Sequence, residues 1–220
     1  MMSSREPLFD RKWLILVLAV FVGQVALFAA FSTIKVPADQ ANSLLNDTKA
    51  IVAQMENEPL LLKALDIFLN NVSIALREFV PVLGWYIFYE ATLTTGQIIS
   101  SLAVSSGVPV SLLLITTFLS PHSYVEFMAY AVAVTESFLL AYSIPMRRLR
   151  AELPRAMSSL ALAVFMLLFA ALLESISIQY GFIGYAYAWG VLVLSVFPLY
   201  WLNRRLHWPA PAPTPAPATA

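Results

Sequence analysis

Long apolar runs separated by short polar stretches fill most of this chain, which is the pattern of a protein that crosses a membrane several times. The first run, 13–31, contains no ionisable residue and is about 20 residues long, enough to cross the hydrocarbon core as a helix. Because this run is long for the apolar part of a signal peptide, we expect it to remain as an uncleaved anchor after a cytoplasmic N-terminus, 1–12.

A polar segment, 32–59, follows the first span. Pro37 and Asp39 provide a helix start, and apolar residues recur at helical intervals from Leu44 to Met55. These features predict an external amphipathic helix. We expect it to pack on its own bundle; contact with the lipid surface or with a partner protein are the alternatives.

The region 60–178 predicts the core of the membrane bundle. Its apolar runs indicate four crossings, and a shorter run, Val108–Leu119, has only the length of a half-membrane or re-entrant helix. The crossings are Leu60–Phe79, Val82–Val104, His122–Ile144 and Ala156–Ile178. Pro121 breaks the helix after the short element, and Ser120 is the expected N-cap of the next one.

A short turn containing Gly181 and Gly184 leads to the last crossing, Phe182–Trp201, within a final transmembrane segment, 179–203. The segment 204–220, basic at first and then rich in proline and alanine, is expected to be an extended cytoplasmic tail. The predicted fold class is therefore all-α. It is a polytopic transmembrane helix bundle of about six spans, with a short half-membrane helix and an external amphipathic helix.

Composition and charge support this interpretation. Hydrophobic residues make up 60% of the chain and charged residues only 12%, which excludes an ordinary soluble domain. The basic residues form clusters beside the spans, and such clusters stay in the cytoplasm. We therefore expect a multi-pass protein of the cell membrane with both termini in the cytoplasm. The clusters are Arg5, Arg11 and Lys12; Arg147, Arg148, Arg150 and Arg155; and Arg204 and Arg205.

Few residues are suited to catalysis or to cofactor binding. Cysteine is absent and the only histidines are His122 and His207, so a zinc site would have to draw two or three carboxylates around His122. The sequence has no phosphate-binding glycine loop. We therefore expect no enzyme activity, cofactor, metal or nucleic-acid partner. The expected partners are the lipid bilayer and other membrane proteins or further copies of this chain.

Five ionisable residues of the predicted spans are the first functional candidates, because such groups are costly in a membrane unless they face the bundle interior or water. His122 and Glu126, four residues apart on one helix face, are close enough for a charge-assisted hydrogen bond. This pair can lock a broken helix in place or take part in transport, and both interpretations stay open. The other three candidates are Glu90, Glu136 and Glu174.

Two adjacent amides, Asn70 and Asn71, lie in the first crossing of the core region. Amide side chains within a membrane commonly hydrogen-bond to a neighbouring helix. We therefore expect this pair to link helices.

Four stretches of the core region, taken in order, are similar to one known family. They are "FLNNVSIALREFVPVLG", "TTGQIISSLAVSSG", "SPHSYVEFMAYAVA" and "LLFAALLESI", within Leu60 to Ile178. The Pro121, His122 and Glu126 signature is the most specific piece. Together the stretches resemble the stage II sporulation protein M family of integral membrane proteins. The family usually has asparagine and glycine where this chain has Thr95 and Gly96, and glycines where it has Ala131, Ala133 and Glu136.

The resemblance implies a membrane scaffold, since the namesake gathers cell-wall hydrolases at the engulfing septum and relatives often accompany transporter components. The leading hypothesis is accordingly a non-enzymatic scaffold or accessory subunit that recruits or stabilises partner proteins in the membrane. The alternative is a proton- or ion-coupled transporter or channel that uses polar groups at the Pro121 break. An intramembrane hydrolase using Glu90, Glu126 and His122 ranks last, because no motif fixes a metal-ligand geometry.

Overall fold

The computed structural model describes residues 11–56 and 58–206, which are helical apart from short connections and contain no strand within these ranges. The helices are α1 Arg11–Phe31, α2 Ala38–Glu56, α3 Leu60–Glu78, α4 Gly84–Ser106, α5 Val110–Leu119, α6 Pro121–Ser143 and α7 Leu149–Leu206. The predicted all-α class is confirmed. The predictions for the segment before residue 11 and for the proline-rich tail after residue 206 lie outside the described residues.

Prolines and a glycine set the helix ends. Pro59 and Pro109 stand at the N-caps of α3 and α5, and Pro121 is the first residue of α6. The first N–H of a helix makes no intrahelical hydrogen bond, so a proline, which lacks this N–H, is tolerated there. Gly107, with φ of 69°, ends α4 in the left-handed region that favours glycine. The predicted helix break at Pro121 is therefore present.

The cap of α6 differs in its chemistry from the expectation. Ser120 occupies the N-cap position, yet its side chain does not cap the helix. Its hydroxyl instead donates to the carbonyl oxygen of Thr116 at 3.0 Å, one turn back in the preceding helix. A buried serine can satisfy its hydroxyl in this way. Because the Ser120 hydroxyl bonds to the backbone of α5, it makes no capping hydrogen bond to α6.

The long helix α7 is two arms joined at Gly181, which has φ of 56° and ψ of −134°. In a straight helix, residues eight apart are about 12 Å apart along the axis. Here a Cβ placed on Gly184 would overlap the backbone of Ile176 and Ser177. The chain therefore turns sharply at this point, as predicted, and a glycine at position 184 permits the close approach.

The centre of the bundle is the pair formed by α6 and the first arm of α7, with α1 packed against α6 and α3 packed against α7. Small side chains allow this close packing, as is usual between helices in membranes. The alanines that are completely buried are Ala75, Ala129, Ala131, Ala133, Ala156, Ala163, Ala170, Ala171 and Ala188.

Three helices are long and apolar enough to cross a membrane, namely Arg11–Phe31, Pro121–Ser143 and Leu149–Gly181. Two shorter apolar helices, Val110–Leu119 and Ile183–Leu194, accompany them in the described part of the chain. Helices α3 and α4 form where crossings were predicted but fall outside this set, so the predicted number of six spans is not confirmed. In α3 the reason is charge, since Lys63, Asp66, Arg77 and Glu78 all belong to it.

Candidate functional site

Glu136, in the middle of α6, forms the centre of a buried polar cluster. One of its carboxylate oxygens, Oε1, accepts hydrogen bonds from Trp13 Nε1 at 2.6 Å, Arg155 Nη1 at 3.1 Å and Ser159 Oγ at 2.8 Å. Glu136 is fully buried, whereas the Arg155 side chain keeps 23% of its exposure. We call Trp13, Glu136, Arg155 and Ser159 the Glu136 cluster. It joins α1, α6 and α7 through an ion pair and two further hydrogen bonds.

A second contact next to this cluster ties α6 to the connection between α3 and α4. The Ser137 hydroxyl donates to the carbonyl oxygen of Val80 at 2.7 Å. Gly84, at the start of α4, lies so close that a Cβ there would overlap the Glu78 carbonyl oxygen and meet Ser137 Oγ at 2.5 Å. Glycine at this position therefore allows α4 to begin directly against α3 and α6.

The predicted hydrogen bond between His122 and Glu126 does not form. Glu126 is hydrogen-bonded to the Tyr130 hydroxyl, which lies one turn further along α6. His122 Nδ1 is buried and has no hydrogen-bond partner. The two side chains line different cavities, Glu126 together with Tyr130 and His122 together with Glu174.

The central cavity lies between α1, α3, α4 and α6 and has a volume of about 140 Å³. Its polar lining consists of Gln24, Asn70, Asn71, Glu78, Thr92, Thr95, Glu126 and Tyr130. Glu78 and Gln24 are 1% and 4% exposed, and Glu78 Oε2 and Gln24 Oε1 have no hydrogen-bond partner. Unpartnered buried acceptors of this kind are uncommon and call for water or a ligand.

A large cavity adjoins the central one, and a side cavity adjoins the large one. The large cavity, of about 550 Å³, lies between α2, α3, α6 and α7 and shares Glu126 and both asparagines with the central cavity. The side cavity, of about 280 Å³, contains His122 and shares Glu174 with the large cavity. Glu126 and Glu174 thus stand where neighbouring cavities meet, which places polar groups along a series of spaces inside the bundle.

Of the remaining candidate residues, Asn70 and Asn71 line the cavities and Glu90 lies on the surface. Asn70 Nδ2 donates to Asn71 Oδ1 at 3.1 Å, so the described hydrogen bond of this pair lies within α3 rather than between helices. Both residues line the central and large cavities. Glu90 is exposed on α4 and lines none of the three cavities. The structure therefore brings Glu126 and Glu174 together and separates them from Glu90 and Glu136.

Sequence reasoning missed several residues of these sites. Gln24 stands within the first apolar run and was not distinguished from it, although an amide in a predicted span is a usable signal. Glu78 stands near the end of the predicted crossing Leu60–Phe79 and was not among the candidates, although an acidic residue in a predicted span is a usable signal. Trp13 was seen only as the start of a span, and only the folded bundle shows its indole bonded to Glu136.

The side chains that most often bind metal ions do not cluster in the described residues. Within 11–56 and 58–206, no group of three or more histidine, cysteine or acidic side chains is placed to hold a metal ion. The arrangement can offer carboxylate, amide and hydroxyl oxygens to a ligand. Such oxygens suit hard cations, water and polar organic groups.

Comparison with known proteins extends the resemblance seen in the sequence. The family model for stage II sporulation protein M matches residues 14–177, which adds α1 and α2 to the region where the resemblance was first seen. No curated protein and no solved structure matches the chain. The match covers more than half of the sequence and includes the helices that form the Glu136 cluster and the central cavity. The chain therefore belongs to the stage II sporulation protein M family of membrane proteins.

Proposed function

We propose that this protein is a non-enzymatic scaffold or accessory subunit of the cell membrane that recruits or stabilises partner membrane proteins. The supporting observation is the Glu136 cluster, in which buried polar side chains are used to join α1, α6 and α7. A frame fixed by such bonds presents its outer helices at constant positions, which is what a docking partner requires. The proposal includes a multi-pass topology with both termini in the cytoplasm.

Helix α2 is a suitable docking element. It packs on α4, and Leu45 is its buried apolar contact at 7% exposure. Gln40 Nε2 donates to Gln97 Oε1 at 3.3 Å and helps to hold the helix there. Most of the remaining surface is exposed and carries both charges, including Asp47 and Lys49. A helix held on one side and free on the other can bind a partner without disturbing the bundle.

The scaffold function can be tested by purifying the full chain from native membranes in mild detergent and identifying co-purifying proteins by mass spectrometry. We expect a partner in stoichiometric amount. Its recovery should fall about tenfold, the effect of about 1.4 kcal/mol, when the exposed charges of α2 are reversed by Asp47→Lys with Lys49→Glu. A matched control is Glu90→Gln, an exposed change on α4. A chain that is recovered alone would contradict the proposal.

A second candidate function, proton- or ion-coupled transport, is supported by the series of cavities. Glu126 lies where the central and large cavities meet, and Glu174 lies where the large and side cavities meet. Acidic and amide groups along connected spaces in a membrane are typical of ion and proton pathways. A short helix, α5, and a broken one at Pro121 stand beside the side cavity, as discontinuous helices do in transporters.

Flux measurements with the purified chain in liposomes separate the two functions. If the chain moves protons or ions, Glu126→Gln should abolish pH-driven flux while leaving the unfolding temperature unchanged, because the amide keeps the shape of the carboxylate. Glu90→Gln, which changes an exposed carboxylate to the same amide, should keep full flux. Absence of flux in the unmodified chain would remove this candidate and leave the scaffold proposal intact.

A further inference from the structure

The central cavity contains more hydrogen-bond acceptors than its own donors satisfy. The Tyr130 hydroxyl is hydrogen-bonded to Glu126, and the Thr92 hydroxyl donates to the carbonyl oxygen of Phe88 at 2.8 Å. These bonds leave Gln24 Oε1 and Glu78 Oε2 without a donor, although both belong to side chains that are more than nine-tenths buried. Two acceptors from different helices therefore line the same cavity.

The charge of the cavity is also unbalanced. Glu78 and Glu126 lie close enough for their charges to repel each other, and Glu174 of α7 adds a third negative group beside Glu126. No lysine, arginine or histidine lines the cavity. Arg77, whose charge acts on Glu78 from the next position of α3, is exposed and donates from Nε to the Ser73 carbonyl oxygen at 3.1 Å. A cation that enters such a space from outside the chain would stabilise the carboxylate forms of these side chains.

The geometry points to a binding site for a monovalent alkali cation, Na⁺ or K⁺, held in the central cavity by Gln24, Glu78 and Glu126. Carboxylate and amide oxygens replace the water shell of such an ion. The volume of about 140 Å³ leaves space for the ion together with a few of its water molecules. A divalent or transition metal fits less well, because the described residues contain no group of three or more histidine, cysteine or acidic side chains placed to hold one.

A proton would satisfy this cavity less completely than a cation. Protons would neutralise Glu78 and Glu126, but they would leave the volume of the cavity unfilled, whereas a cation with a few water molecules occupies it and also contacts Gln24 Oε1. A cation contacts oxygens from α1, α3 and α6 at once. The inference concerns binding alone, so it holds whether the chain acts as a scaffold or moves ions.

The site can be tested with the full chain purified in mild detergent at pH 8. The unfolding temperature is measured in NaCl, KCl, MgCl₂ and choline chloride at equal ionic strength. We expect Na⁺ or K⁺ to raise it by about 5 to 10 °C over choline, the effect of a ligand present at about a hundred times its dissociation constant. An equal unfolding temperature in all salts, or stabilisation by Mg²⁺ alone, would overturn the inference.

Two variants connect the effect to the cavity. Glu78→Gln removes a charged ligand, and Gln24→Leu replaces a neutral ligand by an apolar side chain of similar size. Each variant should abolish the difference in unfolding temperature between alkali and choline salts. Glu90→Gln, outside the cavity, should keep it. If Glu78→Gln fails to fold, Gln24→Leu still tests the cation site. Broadening of the ²³Na resonance by the unmodified chain but not by that variant supports the site, and broadening by both overturns it.

Failure of this test is distinct from failure of the proposed functions. A chain that binds no alkali cation can still co-purify with a partner, and Glu126→Gln can still affect pH-driven flux if protons alone move. A chain that binds no alkali cation therefore contradicts only the cation site proposed for the central cavity.

Discussion

Helix α6 carries two glutamates ten residues apart, about 15 Å along the helix, in opposite electrostatic surroundings. Glu136 accepts three hydrogen bonds on one oxygen, one of them from the cation of Arg155. Glu126 is bonded to Tyr130 and has two carboxylates as its charged neighbours, Glu78 and Glu174. The same residue type on one helix thus has a cation beside it at one site and acidic neighbours at the other.

This difference separates a structural role from a binding role. A carboxylate paired within the protein holds helices together, and its charge is not available to a ligand. A carboxylate that faces other acceptors in a cavity contributes little to the cohesion of the bundle and can bind what enters. Changes at the Glu136 cluster should therefore affect stability, whereas changes at the central cavity should affect ligand binding.

The largest effect on stability is expected for Glu136→Ala. The Arg155 guanidinium, the Trp13 indole and the Ser159 hydroxyl lose their common acceptor, and breaking a buried ion pair costs about 3 to 5 kcal/mol. The free energy of unfolding in mild detergent measures this loss. Glu152→Ala is the matched control, because Glu152 also pairs with Arg155, at 3.3 Å, but is 37% exposed. It should cost less than about 1 kcal/mol, and equal losses would contradict the comparison.

A somewhat smaller loss is expected for Gly84→Ala, which affects the boundary between the two regions. The added methyl group would overlap the Glu78 carbonyl oxygen and push α4 away from α3 and α6. Such overpacking costs about 1 to 3 kcal/mol, measured by the same unfolding experiment. Gly23→Ala in α1 is the control, since a Cβ there meets nothing within 4 Å. It should stabilise the helix by about 0.5 to 1 kcal/mol; two similar losses would argue against a close approach at Gly84.

Ser137→Ala should destabilise the protein by about 1 kcal/mol. The change removes the hydrogen bond to the Val80 carbonyl oxygen and leaves that acceptor without this donor. Ser158→Ala is a suitable comparison, because its hydroxyl donates at 3.0 Å to the Pro154 carbonyl oxygen at an exposed position. Thermal unfolding of the two variants should differ by a few degrees, and the reverse order would show that the contact near α4 carries little energy.

The smallest change is expected for Glu78→Gln in choline chloride, and its direction is the most informative result. Removal of an unpaired buried charge should leave stability unchanged or raise it by up to about 1 kcal/mol. Glu136→Gln, the same substitution at the paired site, should lower stability by about 1 to 2 kcal/mol because Arg155 loses the buried one of its two carboxylate partners. Equal losses in the two variants would mean that the central cavity is a second structural cluster.

The pattern of the sequence predicted most of the helices, because apolar length and helix-breaking residues are local properties. Pro59, Pro109 and Pro121 stand at the start of α3, α5 and α6, and Gly107 ends α4. The number of crossings was less predictable. Helix α3 carries four ionisable residues, and whether such a helix spans depends on neighbours that cover its polar side.

The candidate site was predicted in part. Glu126 and Glu174 were identified because ionisable groups in apolar runs are conspicuous, and the structure places both at junctions between cavities. Their partners were not predictable in the same way. The spacing of His122 and Glu126 favoured a hydrogen bond, yet Tyr130 is equally distant on the other side and is the residue that bonds to Glu126.

The sequence by itself determined the class of protein, the positions of its helices and the family to which it belongs, since these depend on composition, periodicity and order along the chain. Only the tertiary structure decided which glutamate is paired and which is not. Trp13 and Arg155 reach Glu136 from α1 and α7, and Gln24 meets Glu78 across the central cavity. The physical reason is that the electrostatic state of a buried carboxylate depends on the groups within a few ångströms, and these come from distant parts of the chain.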